Sequence, residues 1–330
     1  MNSTDIDVNL ARFSDYAFTS AIVVMVGALV LLAIELAYRQ SSKTAQRELV
    51  SSGGEVVSAD ENRPGLVVPK GKRPLGEQVG GAGLALVYLG IGLLLVCIVL
   101  RGLATTRVPW GNMYEFINLT CACGLITAGV VLRKRSNRAL WVFVLIPVLI
   151  LLTVSGRYLY TYAAPVMPAL QSYWLPIHVS VVSLGSGVFL VAGVASILFL
   201  VKMYFPDDAE ASSRESLIRT MVRRLPDAQT LDRLAYRTTI FGFPIFGFGV
   251  IFGAIWAEEA WGRFWAWDPK ETVSFIAWVI YAAYLHARST AGWRDRKAAW
   301  INVAGFIAMV FNLFFVNLVT VGLHSYAGVN

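Results

Sequence analysis

The fold class this sequence predicts is all-α: a polytopic membrane helix bundle with about eight transmembrane helices and both termini extracytoplasmic. Three observations lead there. The 330 residues are 56% hydrophobic and 15% charged, with a mean hydropathy of +0.60, far too apolar for an ordinary soluble domain of this length. The apolar residues fall in runs of about 20, the length needed to cross a hydrocarbon core of about 30 Å. The basic residues collect in alternate connections between those runs. A net charge of +7 would suggest nucleic acid in a soluble chain, but here basic cytoplasmic loops account for it and no nucleic-acid partner is expected.

Helix one is expected from about Tyr16 to Tyr38, with Glu35 near its inner end. The ten residues at its start are acidic and polar rather than basic, so no signal-peptide n-region is read there. From Arg39 to about Gly80 the chain turns to Ser, Gly, Lys, Arg and Glu without periodicity, which predicts a mobile cytoplasmic linker. The first unit is thus 1–80, a helix plus linker, and the second is 81–330. Helix two, about Gly81 to Leu103, carries Gly90 and Gly92, which allow close backbone approach.

Helix three runs from about Gly111 to Leu132, with Asn112, Glu115 and Asn118 on one side of its first turns. These polar groups either face a cavity, or cap the helix and satisfy one another. After the basic turn at 133–138, helix four climbs from about Ala139 past Val154, and an aromatic segment leads to Pro176. Helix five begins close to His178 and ends near Tyr204; Phe205 to Arg233 reads as an amphipathic connector on the membrane surface. Helix six, about Tyr236 to Trp256, places Gly249 and Gly253 in G-x-x-x-G spacing. Helix seven spans about Glu271 to Arg288 and helix eight about Ala299 to Val321.

Between helices six and seven lies W-A-E-E-A-W-G-R-F-W-A-W-D-P-K-E-T, Trp256 to Thr272. Four of the ten tryptophans, Trp256, Trp261, Trp265 and Trp267, fall within twelve residues. Interfacial anchoring explains a lone tryptophan and could explain two of these. Four crowded around Gly262 and closed by Asp268-Pro269 fit a compact aromatic surface better, suited to a flat conjugated ligand.

Placing the N-terminus outside assigns 22 of the 28 basic residues to cytoplasmic loops and leaves Arg12, Arg101, Arg107, Arg157, Arg263 and Lys270 outside. This satisfies the positive-inside rule. The tryptophan segment then opens extracytoplasmically together with two of the three histidines, His178 and His324, while His286 lies toward the cytoplasm. A histidine in an apolar helix is commonly a packing residue, but neutral imidazole is also the natural axial ligand of haem iron. The cysteines, Cys97, Cys121 and Cys123, form neither C-x-x-C nor C-x-x-C-H, so the chain has no thioredoxin-like pair and no covalent haem site of its own.

The run W-G-R-F-W-A-W-D-P-K-E-T resembles the tryptophan-rich W-G-x-x-W-x-W-D signature of haem-handling proteins in cytochrome c assembly. Length and histidine arrangement most resemble the CcsA/CcsB/ResC family of the type II system, and N-x-Y-E at 112–115 matches a second short pattern. The similarity covers about residues 84 to 330. It implies a holocytochrome c synthase, or haem lyase, acting within a complex. Such a protein delivers haem b to the outer face of the membrane and presents it to the C-x-x-C-H thiols of an apocytochrome c.

The resemblance further implies His178 and His324 as axial ligands and His286 as a transit ligand, with Trp261, Trp265 and Trp267 bearing the porphyrin. Arg263 would pair a propionate or a lipid headgroup, and Asp268 would cap the next helix or support a neighbouring group. The implied partners are a ResB/Ccs1-like membrane protein, the apocytochrome and a thiol-reducing thioredoxin-like protein. The implied location is a bacterial cytoplasmic membrane, or the thylakoid membrane if plastid. A haem exporter or chaperone of the CcmC/CcmF type shares the motif and stands as the alternative. A cytochrome b subunit would need repeated histidine pairs, and a non-haem transporter would need charged or broken mid-membrane helices in two related halves; neither pattern is present.

The charge distribution makes a direct prediction. In a cysteine-free background on intact cells, cysteine at Ser172 reacts with an impermeant thiol reagent and cysteine at Ser136 does not. Labelling at Ser136 alone would reverse the orientation.

Overall fold

The computed structural model describes residues 6–51, 75–166, 170–205 and 217–324. Among them are nine α-helices: α1 Val8–Ser51, α2 Leu75–Thr105, α3 Met113–Val131, α4 Leu140–Tyr158, α5 Trp174–Tyr204, α6 Leu217–Arg224, α7 Ala228–Trp261, α8 Pro269–Ser289 and α9 Arg296–Leu318. No strand occurs among the described residues. Seven helices are long and apolar enough to cross a membrane: α2, α3, α4, α5, α7, α9 and the Val8–Ala37 part of α1. This fits a multi-pass membrane protein.

The remaining expected span, α8, is more polar than these seven. It carries Lys270 and Glu271 at its start and His286 and Arg288 at its end. It nevertheless runs the depth of the bundle antiparallel to α7. Its first residues follow the end of α7, and Arg288 is ion-paired with Asp232 in the first turns of α7.

Several expected boundaries are corrected. The region from Arg39 was read as an unstructured linker, but α1 continues through Ser51 and α2 already begins at Leu75. Residues 39–51 are rich in Gln, Lys, Arg, Glu, Ala and Leu, all good helix formers, so their polarity marks the end of the apolar span and not the end of the helix. The rest of that stretch, 52–74, lies outside the described residues. The segment after Tyr204 contains the short helix α6, and α7 starts at Ala228, capped by the Asp227 side chain, well before Tyr236. Finally, α5 starts at Trp174, so His178 sits one turn inside it. Pro176 falls in that first turn, where a missing N–H costs nothing.

Small residues set the closest crossings. A Cβ on Gly187 of α5 would lie 2.5 Å from the Gly124 backbone nitrogen of α3, and one on Gly249 of α7 would lie 2.6 Å from the Val182 side chain of α5. Gly90 faces Met25 of α1, whereas Gly92, expected to do the same, faces open space. Between α2 and α3 a buried ionic cluster closes the turn. Glu115 accepts from Arg101 Nε at 3.2 Å and from Arg107 at 2.9 and 3.1 Å, while Arg107 also donates to the Ala164 carbonyl. Asn112 caps α3 and Asn118 meets Ser155 of α4. The polar side of α3 therefore serves capping and packing.

These contacts predict opposite outcomes for two glycines. Gly187→Ala lowers the thermal midpoint of the detergent-solubilised protein, by about 1–3 kcal/mol of overpacking against backbone that cannot move aside. Gly92→Ala is neutral or stabilises by up to about 1 kcal/mol through helix propensity. Equal responses by circular dichroism would contradict the α3–α5 contact.

Candidate functional site

One end of the bundle gathers the starts of α3, α5 and α8 and the ends of α7 and α9. The chain leaves α7 at Gly262, whose φ of +69° is the left-handed conformation that glycine adopts without strain. It re-enters helix at Pro269, preceded by Asp268 as N-cap. Glu271 at the third helical position completes a capping box and does more than cap. Its Oε2 accepts from the backbone nitrogens of Ala266 and Asp268 at 2.9 and 3.2 Å, and its Oε1 accepts from Arg263 Nη1 at 2.8 Å. One carboxylate thus folds the W-G-R-F-W-A-W-D loop back onto the first turn of α8.

Asp268 performs both roles considered for it. One oxygen accepts from the Lys270 nitrogen at 3.3 Å and from His324 Nδ1 at 2.8 Å, and the other from the Leu323 nitrogen at 2.8 Å. Burial would raise the Asp268 carboxyl, but the hydrogen bonds from His324 and Leu323 outweigh it and hold the group at about 2. Burial lowers the His324 imidazole below its ordinary range, with Asp268 pulling the other way. At neutral pH the pair is therefore an imidazole bonded to a carboxylate. The proton sits on Nδ1 and the lone pair on Nε2, the arrangement that a carboxylate imposes on a metal-ligating histidine.

His178 reaches the same tautomer by another route. Its Nδ1 lies 2.8 Å from the Gly249 carbonyl of α7, and a carbonyl only accepts, so a neutral ring carries its lone pair on Nε2. Gly253, one turn along α7, makes room: a Cβ there would come within 2.7 Å of the His178 ring. Trp256 touches both histidines. It stacks parallel to His178 at 6.0 Å and meets His324 edge-on at 5.8 Å, and Trp261 packs edge-on against both Trp256 and His324.

Both histidines line a cavity of about 320 Å³ that runs from this end toward the middle of the bundle. Its walls are mainly apolar, including Phe116, Val182, Leu190, Phe246 and Phe306, with Pro147 and Ile150 contributed by α4. Two imidazoles with fixed tautomers in an apolar cavity fit the axial ligation of a haem.

The other candidates separate. Trp265 lines the cavity. Trp267 is 66% exposed and pairs edge-on with Trp265 and Phe275, so the four tryptophans form two groups rather than one surface. Trp267 also has a φ of +59°, which strains a bulky side chain. Arg263 is engaged by Glu271 and stands over the Trp261 ring at 5.4 Å. His286 is exposed on α8 near its far end and does not line the cavity. The sequence marks Gly253 only for its G-x-x-x-G spacing and does not mark Glu271 as a site residue, although S/T/D-x-x-E across a helix start is a readable capping signal.

Comparison with known proteins shows the family. A family described as "Cytochrome C assembly protein" matches residues 110–324, from Trp110 at the turn before α3 to His324. The chain is 34% identical over 263 residues to a protein named "Cytochrome c biogenesis protein CcsA" from Guillardia theta, covering 74% of this chain and 87% of that protein. It is 33% identical over 298 residues to one of the same name from Gloeobacter violaceus, covering 77% and 87%. A solved structure, "Cytochrome c Heme Lyase CcmF", shares the fold with a TM-score of 0.60 at 16% identity; the match covers 92% of this chain and 46% of that one. This chain belongs to the cytochrome c assembly family, among relatives that bear the name CcsA.

Proposed function

We propose that this chain binds haem b between His178 and His324 and presents it, on the extracytoplasmic side, for covalent attachment to an apocytochrome c. The observation that carries this reading is the convergence of two imidazoles on one apolar cavity, each with Nδ1 tied to an acceptor, Gly249 O and Asp268. The tryptophans at 256, 261 and 265 supply flat apolar surface around them. Family membership supports a role in cytochrome c biogenesis.

The reaction is addition of a thiol S–H across each haem vinyl group, sulfur to one carbon and hydrogen to the other. No net oxidation occurs, so the thiols must arrive reduced, which calls for a thioredoxin-like reductant. This protein's part is ligation and orientation: holding the iron and ring while a C-x-x-C-H segment approaches is worth more than acid–base assistance. A ResB/Ccs1-like partner completes the complex. The exposure of His286 supports a transit ligand shared with that partner, about 22 Å from Glu271 along α8 at 1.5 Å per residue. The membrane is a bacterial cytoplasmic membrane, or the thylakoid membrane in a plastid.

In cells carrying the partner, His178→Ala and His324→Ala each abolish cytochrome c maturation, and exogenous imidazole restores part of it by filling the vacated axial position. Maturation is scored by covalent haem staining at equal protein levels. Undiminished maturation in both variants would overturn the reading.

A further inference from the structure

Lys270 is placed where a cation is disfavoured. It is the second residue of α8, at the positive end of that helix's dipole, and its side chain turns inward to line the cavity. There Nζ meets neutral oxygens, Asn317 Oδ1 at 2.9 Å and the Asn312 carbonyl at 3.4 Å, and stands 5.9 Å from the Phe116 ring. Among the described residues no carboxylate pairs with it. The two acidic groups beside it are committed, Asp268 to His324 and Leu323, and Glu271 to Arg263 and two backbone nitrogens. An ammonium facing an apolar cavity without a counter-charge is costly.

Asn312, on the same wall, has one atom without a partner. Asn312 is only 5% exposed and its Oδ1 has no hydrogen-bond partner, while Nδ2 lies 2.8 Å from Ser274 Oγ. A serine hydroxyl donates as readily as it accepts, so the amide can turn over and keep its bond to Ser274, which puts its NH₂ at the buried position of Oδ1 beside Lys270. The two groups together form a polar corner, one cation and one amide donor, in a cavity that is otherwise mostly apolar.

We infer that Lys270 and Asn312 form a carboxylate-binding subsite in the wall of this cavity. It rests on the haem reading above, in which the carboxylate is a propionate. Arg263, the cation suggested by sequence, is unsuited because Glu271 and the Trp261 ring already hold it. A propionate on Lys270 adds a charge-assisted hydrogen bond and fixes the rotation of the ring about the axis through the two histidines. Because the vinyl groups lie across the macrocycle from the propionates, this turns the reactive edge away from Lys270.

The test uses the purified, detergent-solubilised full chain titrated with ferric haem and with haem dimethyl ester, which lacks the carboxylates, both read by Soret absorbance. The wild type binds haem about tenfold or more tighter than the ester, the size expected of one charge-assisted hydrogen bond. Lys270→Met brings haem down to the level of the ester and leaves ester affinity and the low-spin spectrum unchanged; Lys270→Arg keeps most of the preference. Equal binding of both porphyrins by the wild type, or an undiminished preference in Lys270→Met, overturns the subsite and leaves the histidine site standing. Loss of both porphyrins in Lys270→Met and Lys270→Arg alike assigns the lysine to packing and also overturns it. A wild type that binds neither porphyrin strikes the haem reading itself, and the subsite with it.

Discussion

Two carboxylates one turn apart, Asp268 and Glu271, hold together three pieces of chain that are otherwise separate. Glu271 gathers Arg263 and the backbone at 266 and 268. Asp268 gathers the first turn of α8, the Leu323 nitrogen and His324. Asp268 thereby holds the histidine that follows α9 beside Trp256 and Trp261, and Glu271 ties the tryptophan loop to the first turn of α8. The site's second half, His178 on α5, is held independently through the α5–α7 crossing, where the Gly249 carbonyl accepts its hydrogen bond and Gly253 leaves it space. One histidine thus depends on a capping box and the other on a helix crossing.

This division explains the composition of the tryptophan-rich segment. Trp256 and Trp261 belong to the last turns of α7 and pack inward with the histidines. Trp265 and Trp267 belong to the loop, one lining the cavity and the other exposed with a strained backbone. Strain of about 1–3 kcal/mol at one residue persists only where its surroundings over-determine it, and the Glu271 and Thr272 bonds on either side of Trp267 provide that. Trp256 and Trp261 pack against the histidines, whereas of the four only Trp265 lines the cavity.

Much of the architecture could be read from the sequence because apolar run length and basic loops are strong signals in a membrane protein. The helices α3, α4 and α9 begin and end within a few residues of expectation. The misses have local causes. Residues 39–51 are polar and helical at once, so hydropathy ended α1 too early. Pro176 looked like a helix boundary but sits in the first turn of α5, which moved His178 inward. Motif and tautomer are different kinds of information: the sequence pointed to His178, His324 and Asp268, but only the fold shows that Asp268 reaches His324 across 56 residues. Likewise Arg263 looked available until its partner Glu271, eight residues on, was placed beside it.

The central claim is that two histidines from distant parts of the chain act as a pair on one iron. It is tested most directly by electron paramagnetic resonance of the purified protein loaded with ferric haem. The account predicts a low-spin, bis-imidazole signal in the wild type that becomes high-spin in His178→Ala and in His324→Ala, and that persists in His286→Ala. A high-spin wild type, or a low-spin signal surviving both of the first two substitutions, would contradict it.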